Sequence, residues 1–100
     1  MLKVYRTTLK PERRQEYIDA HHTVSPDLMR RYKDAGITLC AVYLLGNDLV
    51  LLVEAEDHSR TSAILAEDRV DRVWQAYVGP MKQDGDWQEM DRLFYADLRQ

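Results

Sequence analysis

The chain has a single cysteine, Cys40, among its 100 residues. It forms no internal disulfide and offers no cysteine cluster to a metal. Positive charge is not in excess either: 14 basic residues face 17 acidic ones, interspersed, for a net charge of −3. Without a basic patch there is no surface suited to phosphates, so nucleic acid is not an expected partner. No apolar run approaches membrane-spanning length and no charged-then-apolar leader opens the chain, which makes the cytoplasm the expected location, with no membrane partner. Repeats, linkers and low-complexity tracts are also missing. What remains, 45% hydrophobic and 31% charged residues, is the composition of a globular protein, and 1–100 is read as one small domain.

Prolines number three and glycines four, few enough to act as punctuation. Leu2–Leu9 reads as a strand, rich in β-branched and aromatic residues. Lys10-Pro11-Glu12 starts a helix, with Pro where a missing N–H does no harm. The helical pattern runs to Ala35 and stops at Gly36. Within it, Ser25-Pro26-Asp27 is a second start signature, so a break is expected near Thr23–Ser25. Ile37–Leu45 and Leu49–Glu56 are apolar runs joined by Gly46-Asn47-Asp48, a hairpin by composition and loop length. Asp57 begins a helix to about Ala66. Asp68 begins another, with Val70, Val73, Trp74, Tyr77, Val78 and Met81 on one face, and Gly79-Pro80 ends it or bends its last turn. A polar loop, Lys82–Asp86, leads to an expected last strand around Met90–Leu98.

The order is β-α-β-β-α-β, the split arrangement of ferredoxin-like α+β folds: an antiparallel sheet with helices on one face. The other sheet face would carry large apolar residues that water should not see. The expectation is a homodimer that packs two sheets face to face, a dimeric α+β barrel.

Chemistry concentrates in Tyr17-Ile18-Asp19-Ala20-His21-His22. Tyr17 and His21, four apart, share a helix face that Ala20, Val24, Leu28 and Tyr32 continue as an apolar stripe. An imidazole and a phenol on an inward face must find partners or line a cavity. Two readings of His21 stay open: a partly buried residue bonded to a backbone carbonyl, or a proton-transfer group. His22 points about 100° away on an ideal helix and is read as solvent-facing. His21, His22 and His58 make a poor metal set, since adjacent helical histidines diverge and no carboxylate motif completes the spacing; no metal is expected. Trp74 is either a pocket wall or a packing anchor. Cys40, in mid-strand with no cationic motif beside it, reads as an inert small hydrophobe. Trp87 is assigned to packing or the dimer, and Tyr43 either to the sheet or to the pocket. Arg6 either pairs with Glu54 across the sheet or reaches the pocket.

The chain resembles the L-rhamnose mutarotase family nearly end to end. Leu9-Lys10-Pro11, then Glu16-Tyr17 followed by His21, resemble that family's strand exit and active-site helix. Pro26-Asp27-Leu28 is similar to its Pro-Glu-Leu, Ala41-Val42-Tyr43-Leu44 to its second strand, Arg72-Val73-Trp74 to its Arg-Trp-Trp, and Leu93-Phe94-Tyr95 to its closing Val-Phe-Tyr. The resemblance implies a cofactor-free enzyme that interconverts the α and β anomers of L-rhamnose or a related deoxy-sugar such as L-fucose. It implies His21 as the acid/base group and Tyr17 and Trp74 as substrate-binding residues. Departures fall on the pocket walls: Cys40 replaces a tyrosine, Val73 and Ser25 each replace a tryptophan, Arg6 replaces an apolar residue, and the loop before the last strand looks shorter. Two other functions stand beside this one: a cofactor-free oxygenase on the same dimeric scaffold, or a non-catalytic ligand-binding module with a structural His21.

Overall fold

The structure is a computed structural model that describes residues 1–83 and 86–99. Strand β1 (Leu2–Thr8) leads through a 3-10 turn at Pro11–Arg13 into α1 (Arg14–His22). The expected break follows: Ser25 caps α2 (Pro26–Asp34), its Oγ accepting from the Leu28 amide at 3.1 Å. Gly36 ends that passage at φ +101°, and a Cβ there would meet Thr61 Oγ1 at 3.2 Å, so the position suits only glycine. Strands β2 (Ile37–Leu45) and β3 (Asp48–Ala55) form the hairpin. Its loop is two residues, with Gly46 first at φ +61°, the pattern of a II′ turn.

Two aspartates start the next two helices. Asp57 accepts from the Arg60 amide at 3.1 Å ahead of α3 (His58–Ala66). Asp68 accepts from the amides of Val70 and Asp71 at 2.9 and 3.0 Å ahead of α4 (Arg69–Val78). A 3-10 turn, Gly79–Met81, and a short β4 (Gln88–Glu89) complete the order.

The four strands lie in the order β2-β3-β1-β4, all neighbours antiparallel. This is the ferredoxin-like α+β fold. Tyr5, Cys40, Val42, Leu44, Leu49, Leu51 and Val53 share the sheet side that faces the helices. Leu9, Tyr17, Ala20, Leu49, Val78 and Met81 form the buried core there, with Leu44, Trp74 and Trp87 packed against it. On the other side the alternation presents Val4, Ala41, Tyr43, Leu45, Val50 and Leu52. Tyr43 is 64% exposed and Leu45 83%, so that face carries apolar surface in contact with water.

Three expectations need correction. The last strand does not run over Met90–Leu98; its regular part is Gln88–Glu89. Tyr5 lies opposite Glu89, and in the same register Arg92 comes opposite Leu2, where β1 begins. Residues 93–99 run past the end of β1, the strand beside β4, and among the described residues have no strand to pair with. Leu93, Phe94 and Leu98 are accordingly exposed. The apolar stripe of α4 is also narrower than expected. Val70, Trp74 and Val78 turn inward, while Val73 and Tyr77 stand on the flank, Val73 at 66% exposure. Finally, Arg6 pairs with Asp48 at 3.2 Å, not with Glu54. The register sets Arg6 across from Val50, two residues from Asp48, whereas Glu54 lies opposite Leu2 and meets the N-terminal amine at 3.5 Å. The polar loop expected over Lys82–Asp86 includes residues 84 and 85, which lie outside the described residues; Lys82 itself is buried.

Candidate functional site

A cavity of about 810 Å³ opens between the sheet and the helices. That is within the range of roughly 300–1,000 Å³ usual for small-molecule pockets. The sheet supplies an apolar floor of Val42, Leu44, Leu51 and Val53, with Tyr5 and Cys40. The helices supply the polar groups, and they do so because α1, α2 and α4 each turn one mixed face toward that floor.

His21 occupies one wall. Its Nδ1 lies 2.9 Å from the Tyr17 carbonyl oxygen, one helical turn back. A carbonyl only accepts, so Nδ1 carries the proton and neutral His21 presents a bare Nε2. The Tyr17 ring stacks on the imidazole with centroids 4.2 Å apart and planes at 29°. Trp74, from α4, meets it edge-on at 5.1 Å and 70°. Tyr17, His21 and Trp74 thus form one aromatic cluster on the cavity wall, with the ring orientation of His21 fixed from three directions.

The environment holds His21 in its neutral form. Burial pushes its pKa below the usual value; the Tyr17 carbonyl bond works against that, and the charges of His22 and Lys82 add to it. Burial raises the Tyr17 phenol to about 12, so it stays protonated through neutral pH. Desolvation also raises the Cys40 thiol, which is therefore not a thiolate nucleophile at neutral pH.

Sequence reasoning missed two features of the cavity. The first is a hydrogen-bonded trio in which the Asp71 carboxylate, 8% exposed, accepts from Tyr32 Oη at 2.7 Å and Gln75 Nε2 at 3.3 Å. Asp71 sits in the first turn of α4, where an acid is ordinary, and only the packing of α2 against α4 turns it inward. The second is Lys82, 4% exposed, with its Nζ 4.8 Å from the Trp87 ring centroid. A lone lysine in a polar stretch gives no sequence sign of burial.

Other residues fall outside the cluster. His22 is exposed at the cavity's edge. His58 hydrogen-bonds the Met1 carbonyl at 2.6 Å, at the opposite end of β1 from Lys82. Among the described residues no three His, Cys, Asp or Glu gather as a metal site, and no helix is long and apolar enough to cross a membrane. Trp87 packs against the core. Arg6 lies on the outer sheet face and does not line the cavity.

A family model described as L-rhamnose mutarotase matches residues 3–96. No protein among curated sequences matches the chain. Among solved structures, an L-rhamnose mutarotase from Formosa agariphila superposes with a TM-score of 0.79 at 17% identity, over 97% of this chain and 99% of that one. A putative antibiotic biosynthesis monooxygenase from Bacteriodes thetaiotaomicron reaches 0.71 at 16% identity, over 100% and 93%. A dimeric ferredoxin-like protein from an uncultured marine organism reaches 0.60 at 9% identity, over 96% and 91%. At these identities the superpositions speak for the fold.

Proposed function

The chain belongs to the L-rhamnose mutarotase family, and from that premise we propose that it interconverts the anomers of L-rhamnose or a related deoxy-sugar such as L-fucose, with His21 as the acid/base group. The observation that carries this reading is the fixed tautomer of His21. Its Nδ1 proton is committed to the Tyr17 carbonyl, which leaves Nε2 as a base on the wall of a cavity with ample room for a monosaccharide.

Mutarotation begins when the anomeric O1–H proton leaves and the C1–O5 bond breaks toward O5, which must gain a proton. The open aldehyde turns about C1–C2 and recloses on its other face. In the proposed site Nε2 of neutral His21 takes the O1 proton and returns it on closure. Trp74 gives the pyranose an apolar plate to rest on, and the Tyr17 hydroxyl serves as a hydrogen-bond partner or holds the imidazole in place by stacking. No cofactor takes part in this scheme. A homodimer through the outer sheet faces belongs to the same reading, supported by the exposed Tyr43 and Leu45 and by the dimeric relative of the same fold.

NMR saturation transfer between anomer signals, over a panel of aldoses, tests the proposal. Wild-type protein is expected to speed exchange for at least one deoxy-sugar, and His21→Ala to abolish the effect. Unaltered exchange for every sugar would defeat it.

A further inference from the structure

Protonation of the ring oxygen at the same moment as O1 is deprotonated calls for a second group, since His21 enters each turnover as a base. Resting on the mutarotase reading above, we propose that Lys82 is that group: the acid that protonates the sugar's ring oxygen while His21 deprotonates the anomeric hydroxyl.

The chain builds Lys82 into the cavity deliberately from both flanks. Its amide bonds the Gly79 carbonyl at 3.1 Å, the Lys10 amide bonds the Met81 carbonyl at 2.9 Å, and the Gln83 amide bonds the Thr8 carbonyl at 2.8 Å. Lys82 and Leu9 form a bridge just past the end of β1. This pinned backbone leaves the side chain 4% exposed on the cavity lining, its ammonium beside the Trp87 ring. A lysine that deep usually needs a carboxylate. Among the described residues no carboxylate forms an ion pair with Nζ; Asp86 acts on its charge from farther off, and the ammonium rests against the face of the Trp87 ring.

Lys82 and His21 influence each other. The Lys82 charge disfavours protonation of His21, and burial disfavours the charge on Lys82 itself, with Asp86 opposing that. Two basic groups in one cavity resist being charged together. The stable combination is neutral His21 with protonated Lys82, since an amine is the stronger base by far. That is the arrangement mutarotation requires: one proton acceptor and one proton donor at the same time. The other titratable groups on the lining do not supply the acid. Tyr17 holds its proton to about 12, Cys40 is a thiol made less acidic by desolvation, burial and Asp71 make the Tyr32 phenol less acidic, Asp71 is engaged by Tyr32 and Gln75, His22 is exposed, His58 is bonded to the Met1 carbonyl at the far end of β1, and Tyr5 is a residue of the sheet floor.

The step balances without a co-reactant. Nε2 of His21 takes the O1 proton, O1–C1 becomes the carbonyl, the C1–O5 electron pair goes to O5, and O5 takes a proton from Lys82 Nζ. After rotation about C1–C2, O5 attacks C1, its proton returns to the Lys82 amine, and the His21 imidazolium reprotonates O1. Both residues end as they began.

The test compares wild type, Lys82→Met and Lys82→Arg by saturation-transfer exchange across pH, using the sugar that wild type turns over fastest, with thermal melts to verify folding. Lys82→Met is expected to slow exchange by about 10²-fold or more. Lys82→Arg keeps the charge but releases no proton in this pH range, so it is expected to stay slow. Wild type needs no substitution for its part: its exchange is expected to fall on the alkaline side at a pH below that of a free lysine, about 10.4. Near-wild-type exchange in either folded variant, or a wild-type profile flat to pH 10.4, overturns the role of Lys82 and leaves the mutarotase reading intact. Wild-type protein inactive on every sugar overturns both. Arg restoring exchange would make Lys82 a charge that holds the substrate instead of an acid.

Discussion

Tyr17 touches His21 twice, and through different chemistry: its ring stacks on the imidazole at 4.2 Å, and its carbonyl oxygen accepts a hydrogen bond from the imidazole's Nδ1–H, with N and O 2.9 Å apart. The second contact is backbone and survives any side-chain change. Tyr17→Phe is therefore expected to leave the His21 tautomer, and the acid limb of the activity profile, where they are. Any loss of exchange in this variant measures the hydroxyl alone. A shifted acid limb, followed by saturation transfer from pH 4 to 8, would mean that the phenol tunes the imidazole directly.

The acid limb itself has a fixed direction. His21 acts as a base, and burial lowers its pKa from the ordinary value of about 6.5. Exchange is expected to hold steady through pH 7 and to fall only as pH drops below 6.5. A midpoint above 6.5 would show an imidazolium stabilised in the folded protein, contrary to the cavity's character.

Tyr17 makes a separate prediction for stability. Its folded pKa is raised to about 12, above the roughly 10 of a free phenol. The contribution is complete below pH 10 and is lost as pH rises from 10 toward 12, because the unfolded chain ionises first. Its size is on the order of 2–3 kcal/mol. Tyr32, raised by burial and by Asp71, acts in the same direction. Lys82, whose folded pKa is lowered, acts in the opposite one, since the unfolded chain binds its proton more tightly up to about 10.4. Comparing urea midpoints of wild type and Tyr17→Phe between pH 9 and 11.5 isolates the tyrosine. The variant is expected to lose less stability over that interval; equal losses would contradict the assignment.

Thr7 Oγ1 is buried and has no hydrogen-bond partner among the described residues. A hydroxyl in that position costs desolvation and returns nothing. Thr7→Val keeps the branched shape and β preference, and is expected to stabilise the protein by about 1 kcal/mol in urea unfolding. Destabilisation would indicate that the hydroxyl finds a partner, such as water.

The outer sheet face gives the fifth expectation. Tyr43 and Leu45 stand exposed beside Val50 and Leu52 on the same side. Wild-type protein is expected to sediment as a dimer. Placing like charges in the face, as in Tyr43→Glu with Leu45→Glu, is expected to give monomers at micromolar concentration. A wild-type monomer, or a dimer indifferent to both charges, would reject this interface.

Much of this architecture was legible from short signals. Ser25 and Asp68 mark helix starts because their side chains accept the first free amides, and Gly36 and Gly46 stand where φ is positive. Helical spacing pairs Tyr17 with His21, and a carbonyl-bonded His21 is one of the two readings that the sequence leaves open. The rest depended on register and packing. The expected last strand has the right alternation, but the starting point of β1 at Leu2 decides how far pairing runs. Arg6 finds Asp48 for the same reason. Lys82 and Asp71 look like surface charges until Trp87 and Tyr32 are packed over them.

Catalysis of anomer exchange by His21 underlies every other role proposed for the cavity. Its most direct measurement is the rate at which a freshly dissolved single anomer of L-rhamnose reaches equilibrium, followed by optical rotation with and without protein. Relaxation is expected to quicken in proportion to wild-type protein and to return to the buffer rate with folded His21→Ala. Equal acceleration by wild type and His21→Ala would contradict it.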